Sequence, residues 1–117
     1  MNSTLTREIL EGVDRLFEDP ARWTSKSFTR DANDRRIGFG IRIFSKRACK
    51  FCCYAAIRVV ARRIVGSRWK SLSATKGVLK HLRPFVLARG YYDVATLNDE
   101  GGYLVMREVI KQGLATA

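Results

Sequence analysis

The residues best suited to metal or nucleophile chemistry are three clustered cysteines, Cys49, Cys52 and Cys53, and a single histidine, His81. Zinc sites use cysteine pairs at this spacing, but a second pair is missing from the chain. Cysteine often packs as a small hydrophobic residue, so the pattern favours buried, reduced thiols and no metal or cofactor. Cys53, which the helical pattern places nearer the edge of the apolar face than Cys52, is the candidate nucleophile. A base and an orienting group are not visible beside it, so we expect a protein that is not an enzyme.

A long basic segment is the most distinctive feature of the sequence. Residues 35–89 contain fifteen Lys or Arg residues and no Asp or Glu, whereas all eleven acidic residues lie in the flanking segments. The chain carries a net charge of +11 and has a pI of about 10.2. Such a charge attracts polyanions, among which nucleic acid is the commonest partner and an acidic protein surface is an alternative. The sequence therefore indicates a kind of partner rather than a reaction.

Two stripes of basic residues are expected on neighbouring helices within this segment. At about 100° per residue, a helix over residues 46–65 places cations and one tyrosine on a single face, and the next helix carries a second stripe. The cations would contact phosphates, and the two aromatic residues would stack on bases or ribose. The helix–short turn–helix order also admits a helix-turn-helix-like arrangement, with the second stripe facing a groove. The predicted contact residues are Arg47, Lys50, Tyr54, Arg58, Arg62, Trp69, Lys76, Lys80 and Arg83.

The elements that must position these residues are mostly helices. Apolar periodicity predicts helices over residues 3–18, 46–65, 72–89 and 100–114, with a kink or break near Pro84. Period-2 alternation of Ile37, Phe39, Ile41 and Ile43 admits a short strand, so a small β-hairpin near residues 28–44 is expected. The fold class is therefore mainly α, as one compact domain of about four helices over residues 1–117. The predicted core consists of Leu5, Ile9, Val13, Leu16, Phe17, Ala48, Cys52, Ala55, Val59, Leu79, Leu82, Phe85, Val86, Leu104, Val109 and Ile110.

Membrane association is not expected from this sequence. The longest wholly apolar run, residues 51–57, is far shorter than the roughly 20 residues that cross a bilayer. The first residues include charges where a secretory peptide would have its apolar core, so a cytoplasmic location is expected. The oligomeric state stays open.

Several short motifs resemble those of a small bacterial and phage domain family of unknown function. They are Trp23, Thr29-Arg30-Asp31, the run from Cys52 to Ile57, Leu97-Asn98-Asp99, and Arg107-Glu108-Val109. The family pattern has alanine at Thr29, glycine at Ala55 and tryptophan at Leu97. The resemblance implies a mostly helical small domain and transfers no catalytic residues. It also suggests a second hypothesis, in which a phage or mobile-element protein binds and modulates a host protein or a nucleic-acid-handling complex.

Within that pattern, Asn98 and Asp99 have a structural interpretation. Short polar side chains accept hydrogen bonds from free N–H groups at a helix start. We therefore expect one of the two to cap the last helix rather than to serve in catalysis.

Overall fold

Four long helices and a small sheet form the part of the chain described by the computed structural model, residues 3–38 and 40–117. The helices are α1 (Ser3–Leu16), α2 (Cys53–Val65), α3 (Arg68–Ala88) and α5 (Gly102–Thr116). A short helix α4 (Val94–Thr96) and a π-helical turn (Leu97–Gly101) precede α5. The strands β1 (Thr29–Arg30), β2 (Arg36–Ile37) and β3 (Lys50–Phe51) pair antiparallel in the order β2–β1–β3. The mainly helical fold and the small hairpin were both predicted correctly.

The hydrophobic core surrounds α2, which is buried on most sides. Ala55, Ala56, Ile57 and Ala61 are fully buried there, and their small or branched side chains let α1 and α3 pack closely against the helix. Nearly all of the predicted core residues are buried or half-buried in this cluster. Leu104 is the exception, because 74% of it is exposed.

The exposure of Leu104 follows from the face that α5 turns toward the core. The buried residues of α5 are Met106, Val109, Ile110 and Gly113, at helical spacing. Leu104 precedes Met106 by two residues and therefore lies about 200° away around the helix axis. The sequence prediction placed Leu104 in the core and missed Met106.

The predicted start of the second helix is wrong. Residues 50–51 form β3 instead, with Phe51 opposite Thr29 in the sheet. Helix α2 begins only at Cys53, and the Sγ atom of Cys52 accepts a hydrogen bond from the backbone N–H of Ala55 at 3.4 Å. Pairing with a distant strand thus outweighs the local helical periodicity. At the other end, Gly66 has a φ of 78°, the left-handed conformation in which glycine commonly ends a helix.

Helix α3 is longer than predicted. It begins at Arg68, after the Ser67 side chain accepts a hydrogen bond from the N–H of Lys70 at 3.3 Å. It also continues through Pro84 to Ala88, so the helix does not break at the proline. Proline removes a single backbone donor, the one that would have bonded the carbonyl of Lys80, and Pro84 itself is exposed.

The strand pattern over residues 36–44 holds only for its first two residues. Gly40–Phe44 forms a 3₁₀ helix, and Phe39 lies outside the described residues. The β1–β2 turn is closed by Asp31, whose carboxylate accepts hydrogen bonds from the N–H groups of Asn33 and Arg35.

Among the described helices, none is long and apolar enough to cross a membrane.

Candidate nucleic-acid interface

A cleft of about 600 Å³ opens between α2, α3 and the segment around α4. Its volume lies in the range typical of ligand pockets, about 300–1,000 Å³. Tyr54 of α2 and Lys80 and Arg83 of α3 all line it, so the structure brings three of the predicted contact residues together. The full lining consists of Phe28, Tyr54, Leu79, Lys80, Arg83, Val86, Tyr92, Asp93, Val94 and Ala95.

The walls of the cleft are set by local sequence. Leu79, Arg83 and Val86 follow one another at steps of four and three, which places them on one face of α3. On the facing wall, Asp93 caps α4 by accepting a hydrogen bond from the N–H of Thr96 at 2.8 Å. This cap fixes α4, whose residues Val94 and Ala95 complete the wall. The result is an apolar hollow with charged residues at its edge.

The rim of the cleft is positively charged. Lys80 and Arg83 are exposed, as is Lys76 one turn earlier on α3. Within the described part of the chain, none of these three cations forms an ion pair. Asp93 is the one acidic residue in the lining, and one of its carboxylate oxygens already accepts the capping hydrogen bond. The α3 stripe is therefore available to an anionic partner.

Two cations predicted for α2, Arg58 and Arg62, already make contacts within the protein. Arg58 and Arg62 lie over the Phe44 ring, with guanidinium carbons 5.6 and 5.9 Å from its centroid. Arg58 also donates a hydrogen bond to the hydroxyl of Tyr54 at 3.2 Å. These contacts stabilise the 3₁₀ segment against α2 and hold the Tyr54 ring at the cleft.

Arg47 and Lys50 do not share a helical face with the other predicted cations, because both precede α2. Arg47 lies exposed in the loop before β3. Lys50, on β3, forms an ion pair with Asp34, with Nζ and Oδ1 3.0 Å apart. This hydrogen bond lowers the pKa of the Asp34 carboxyl. The prediction of one continuous α2 stripe is therefore wrong.

Trp69 lies away from the cleft. It is the second residue of α3, and 78% of it is exposed. Eleven residues separate it from Lys80, which corresponds to about 16 Å along the helix. The prediction missed two aromatic residues that line the cleft, Phe28 and Tyr92, of which Tyr92 is 79% exposed. Tyr92 could have been identified from the sequence, because it lies in a polar loop beside Asp93.

The cysteines and the histidine do not form a common site. Cys53 is 1% exposed and Cys52 is 5% exposed, so Cys53 is the more buried of the two and not the edge residue expected. Burial raises the pKa of the Cys52 thiol to about 11 and raises the pKa of Cys53 further. Both are core thiols, as predicted. His81 instead hydrogen-bonds with the carbonyl oxygen of Gly113, with its Nε2 atom 2.8 Å away.

Asn98 is the centre of a buried polar cluster. Its side-chain oxygen accepts hydrogen bonds from the Trp23 indole N–H at 2.7 Å and from the N–H of Cys53 at 3.0 Å. Its amide group donates to the carbonyl oxygen of Thr24 at 3.0 Å. The neighbouring Asp99 accepts from the N–H of Lys26. Asn98 therefore satisfies the first N–H of α2, and the expectation that it or Asp99 caps the last helix is wrong.

Comparison with known proteins places the chain in a family. Residues 1–103 match a family of unknown function, DUF6197, and the chain belongs to that family. No curated protein and no solved structure matches it. The predicted membership of a small domain family of unknown function is thus confirmed.

Proposed function

We propose that this DUF6197 protein binds nucleic acid through the cleft and the adjoining α3 cations. The observation that carries the proposal is the convergence of Tyr54, Lys80 and Arg83 on one concave site. Clustered, unpaired cations bind the phosphate backbone of nucleic acid, and bases stack on neighbouring aromatic rings. The apolar floor suits the faces of bases, which a bare basic surface would not.

The charge distribution supports the same function. Lys76, Lys80 and Arg83 follow one side of α3 over about 10 Å of helix. They are unpaired with any described residue and lie in the basic segment, which contains no acidic residue. The α2 cations Arg58 and Arg62 contribute to the positive potential from their positions over Phe44. Long-range attraction of a polyanion is expected from such a surface.

A salt titration tests the proposal. Binding to labelled DNA and RNA, measured by fluorescence anisotropy, should weaken steeply with salt as counterions are released. Lys76→Glu and Arg83→Glu should each lower the log–log slope by about one and weaken binding regardless of sequence. Lys111→Glu, an exposed residue of α5, makes the same change in net charge and serves as the matched control.

Two results would overturn the proposal. One is the absence of binding at low salt to every nucleic acid tested. The other is an equal loss for Lys111→Glu and Arg83→Glu, because binding would then reflect net charge rather than the cleft. In the first case the basic face would instead fit an acidic protein surface, and binding to a host protein would become the leading hypothesis.

A further inference from the structure

We infer that the cleft receives an unpaired base, so that the preferred ligand is single-stranded rather than duplex nucleic acid. This inference rests on the proposed function and specifies which nucleic acid the same site takes. The deciding observation is the composition of the lining, in which seven of the ten side chains are apolar or aromatic and three of these, Phe28, Tyr54 and Tyr92, carry aromatic rings.

The shape of the site is the first argument. A base in a duplex is stacked and paired, and it reaches a recessed pocket only if it is flipped out at a cost of a few kcal/mol. A single strand presents its bases without that cost, and proteins commonly recognise such bases by stacking on aromatic side chains. A cleft of about 600 Å³ is open enough for a base together with part of its sugar.

The arrangement of aromatic and charged residues is the second argument. Phe28 and Tyr54 lie side by side on one part of the lining, with ring centroids 5.9 Å apart. Tyr92 lines the same cleft and is largely exposed. Lys80 and Arg83 lie on the α3 side of the cleft. From there they would contact the phosphates of a nucleotide whose base occupies the cleft. The apolar and aromatic lining suits the base of a nucleotide, and the exposed cations suit its phosphate.

The position of the cations on α3 is the third argument. In helix-turn-helix proteins the residues near the start of the recognition helix contact the base edges in the major groove. Here Lys76, Lys80 and Arg83 lie in the middle and second half of a helix that begins at Arg68. Two of the three also line a hollow instead of projecting from a convex surface. This placement favours a strand that passes along the cleft.

The test narrows the cleft without changing its charge. Ala95 is exposed and lines the cleft, so Ala95→Leu should narrow the hollow with little effect on the core and without adding an aromatic ring on which a base could stack. Ala115→Leu, at an exposed position of α5, is the matched control. The ligands are a single-stranded oligonucleotide, a strand of equal length with abasic sites, and the corresponding duplex.

The wild type should bind the single strand about ten-fold more tightly than the abasic strand or the duplex, as expected for the stacking of one base. Ala95→Leu should reduce that preference and leave the affinity for the abasic strand and its salt slope unchanged. Ala115→Leu should behave as the wild type.

The possible outcomes distinguish a failure of this inference from a failure of the proposed function on which it rests. Equal binding of all three ligands, or a single-strand preference that Ala95→Leu leaves unchanged, would overturn the inference and leave nucleic-acid binding intact. Tighter binding of the duplex would do the same. If none of the ligands binds at low salt, the proposed function itself fails.

Discussion

Replacement of Asn98 by alanine should strongly destabilise the protein. The side chain is fully buried and satisfies three groups, the indole N–H of Trp23, the backbone N–H of Cys53 and the carbonyl oxygen of Thr24. A buried polar group left without a partner costs about 1–3 kcal/mol. Since the indole is only partly buried, we expect a total loss of about 3–5 kcal/mol in the free energy of unfolding. For a chain of this size, that loss lowers Tm by roughly 12 °C or more.

Urea denaturation followed by circular dichroism measures this loss, with the midpoint and slope fitted to a two-state transition. Asn33→Ala is the matched control, because Asn33 is an exposed residue of the β1–β2 turn. Its replacement should change the free energy of unfolding by no more than about 0.5 kcal/mol. If Asn98→Ala lost less than about 1 kcal/mol, then Asn98 would not be holding the three segments together, and the reasoning would be refuted.

Two further predictions concern the packing of glycines and the ionisation of a core thiol. Gly77→Ala should stabilise the protein by about 0.5–1 kcal/mol, since an added Cβ meets nothing within 4 Å in a helix interior. Gly113→Ala should destabilise it by about 1 kcal/mol, because the Cβ would lie 2.5 Å from Leu82 Cδ2; thermal melts of the two variants should shift in opposite directions. The pKa of about 11 for the Cys52 thiol exceeds the value of about 8.5 for a thiol in the unfolded chain. The neutral thiol therefore makes its full contribution to the free energy of unfolding below pH 8.5, and this contribution is lost as the pH rises toward 11. The loss should be about 3 kcal/mol, and urea titrations across that range should show a shallower decline for Cys52→Ser.

Local pattern and tertiary contact explain which parts of this fold could be read from the sequence. The helices α1, α3 and the second half of the predicted central helix follow apolar periodicity, which is a local property. The start of α2 could not be found in the same way, because residues 46–51 also fit a helical pattern. Residues 50–51 instead pair with β1, which lies about 20 residues earlier in the chain and is invisible to a local pattern.

The same limit applies to the candidate site. Lys80 and Arg83 were identifiable because a run of cations without acids is visible in the sequence itself. Asn98 was misassigned because a polar residue before a helix usually caps that helix, whereas this one bonds the N–H of Cys53 in another. Whether α3 cations face open solvent or a cleft depends on the loop containing Tyr92, whose position no periodic pattern predicts.

The Asn98 hydrogen bonds also bear on the order in which the chain folds. They join residues 75 and 45 positions apart, to Trp23 and Cys53 respectively, so the entropy of two long loops must be lost before they form. During synthesis the N-terminal half reaches its native hydrogen bonding only after residue 98 has been made. We therefore expect these bonds to form late, on the native side of the folding barrier. In stopped-flow experiments Asn98→Ala should accelerate unfolding and leave the folding rate nearly unchanged, whereas a matching decrease in folding rate would place the cluster in the nucleus.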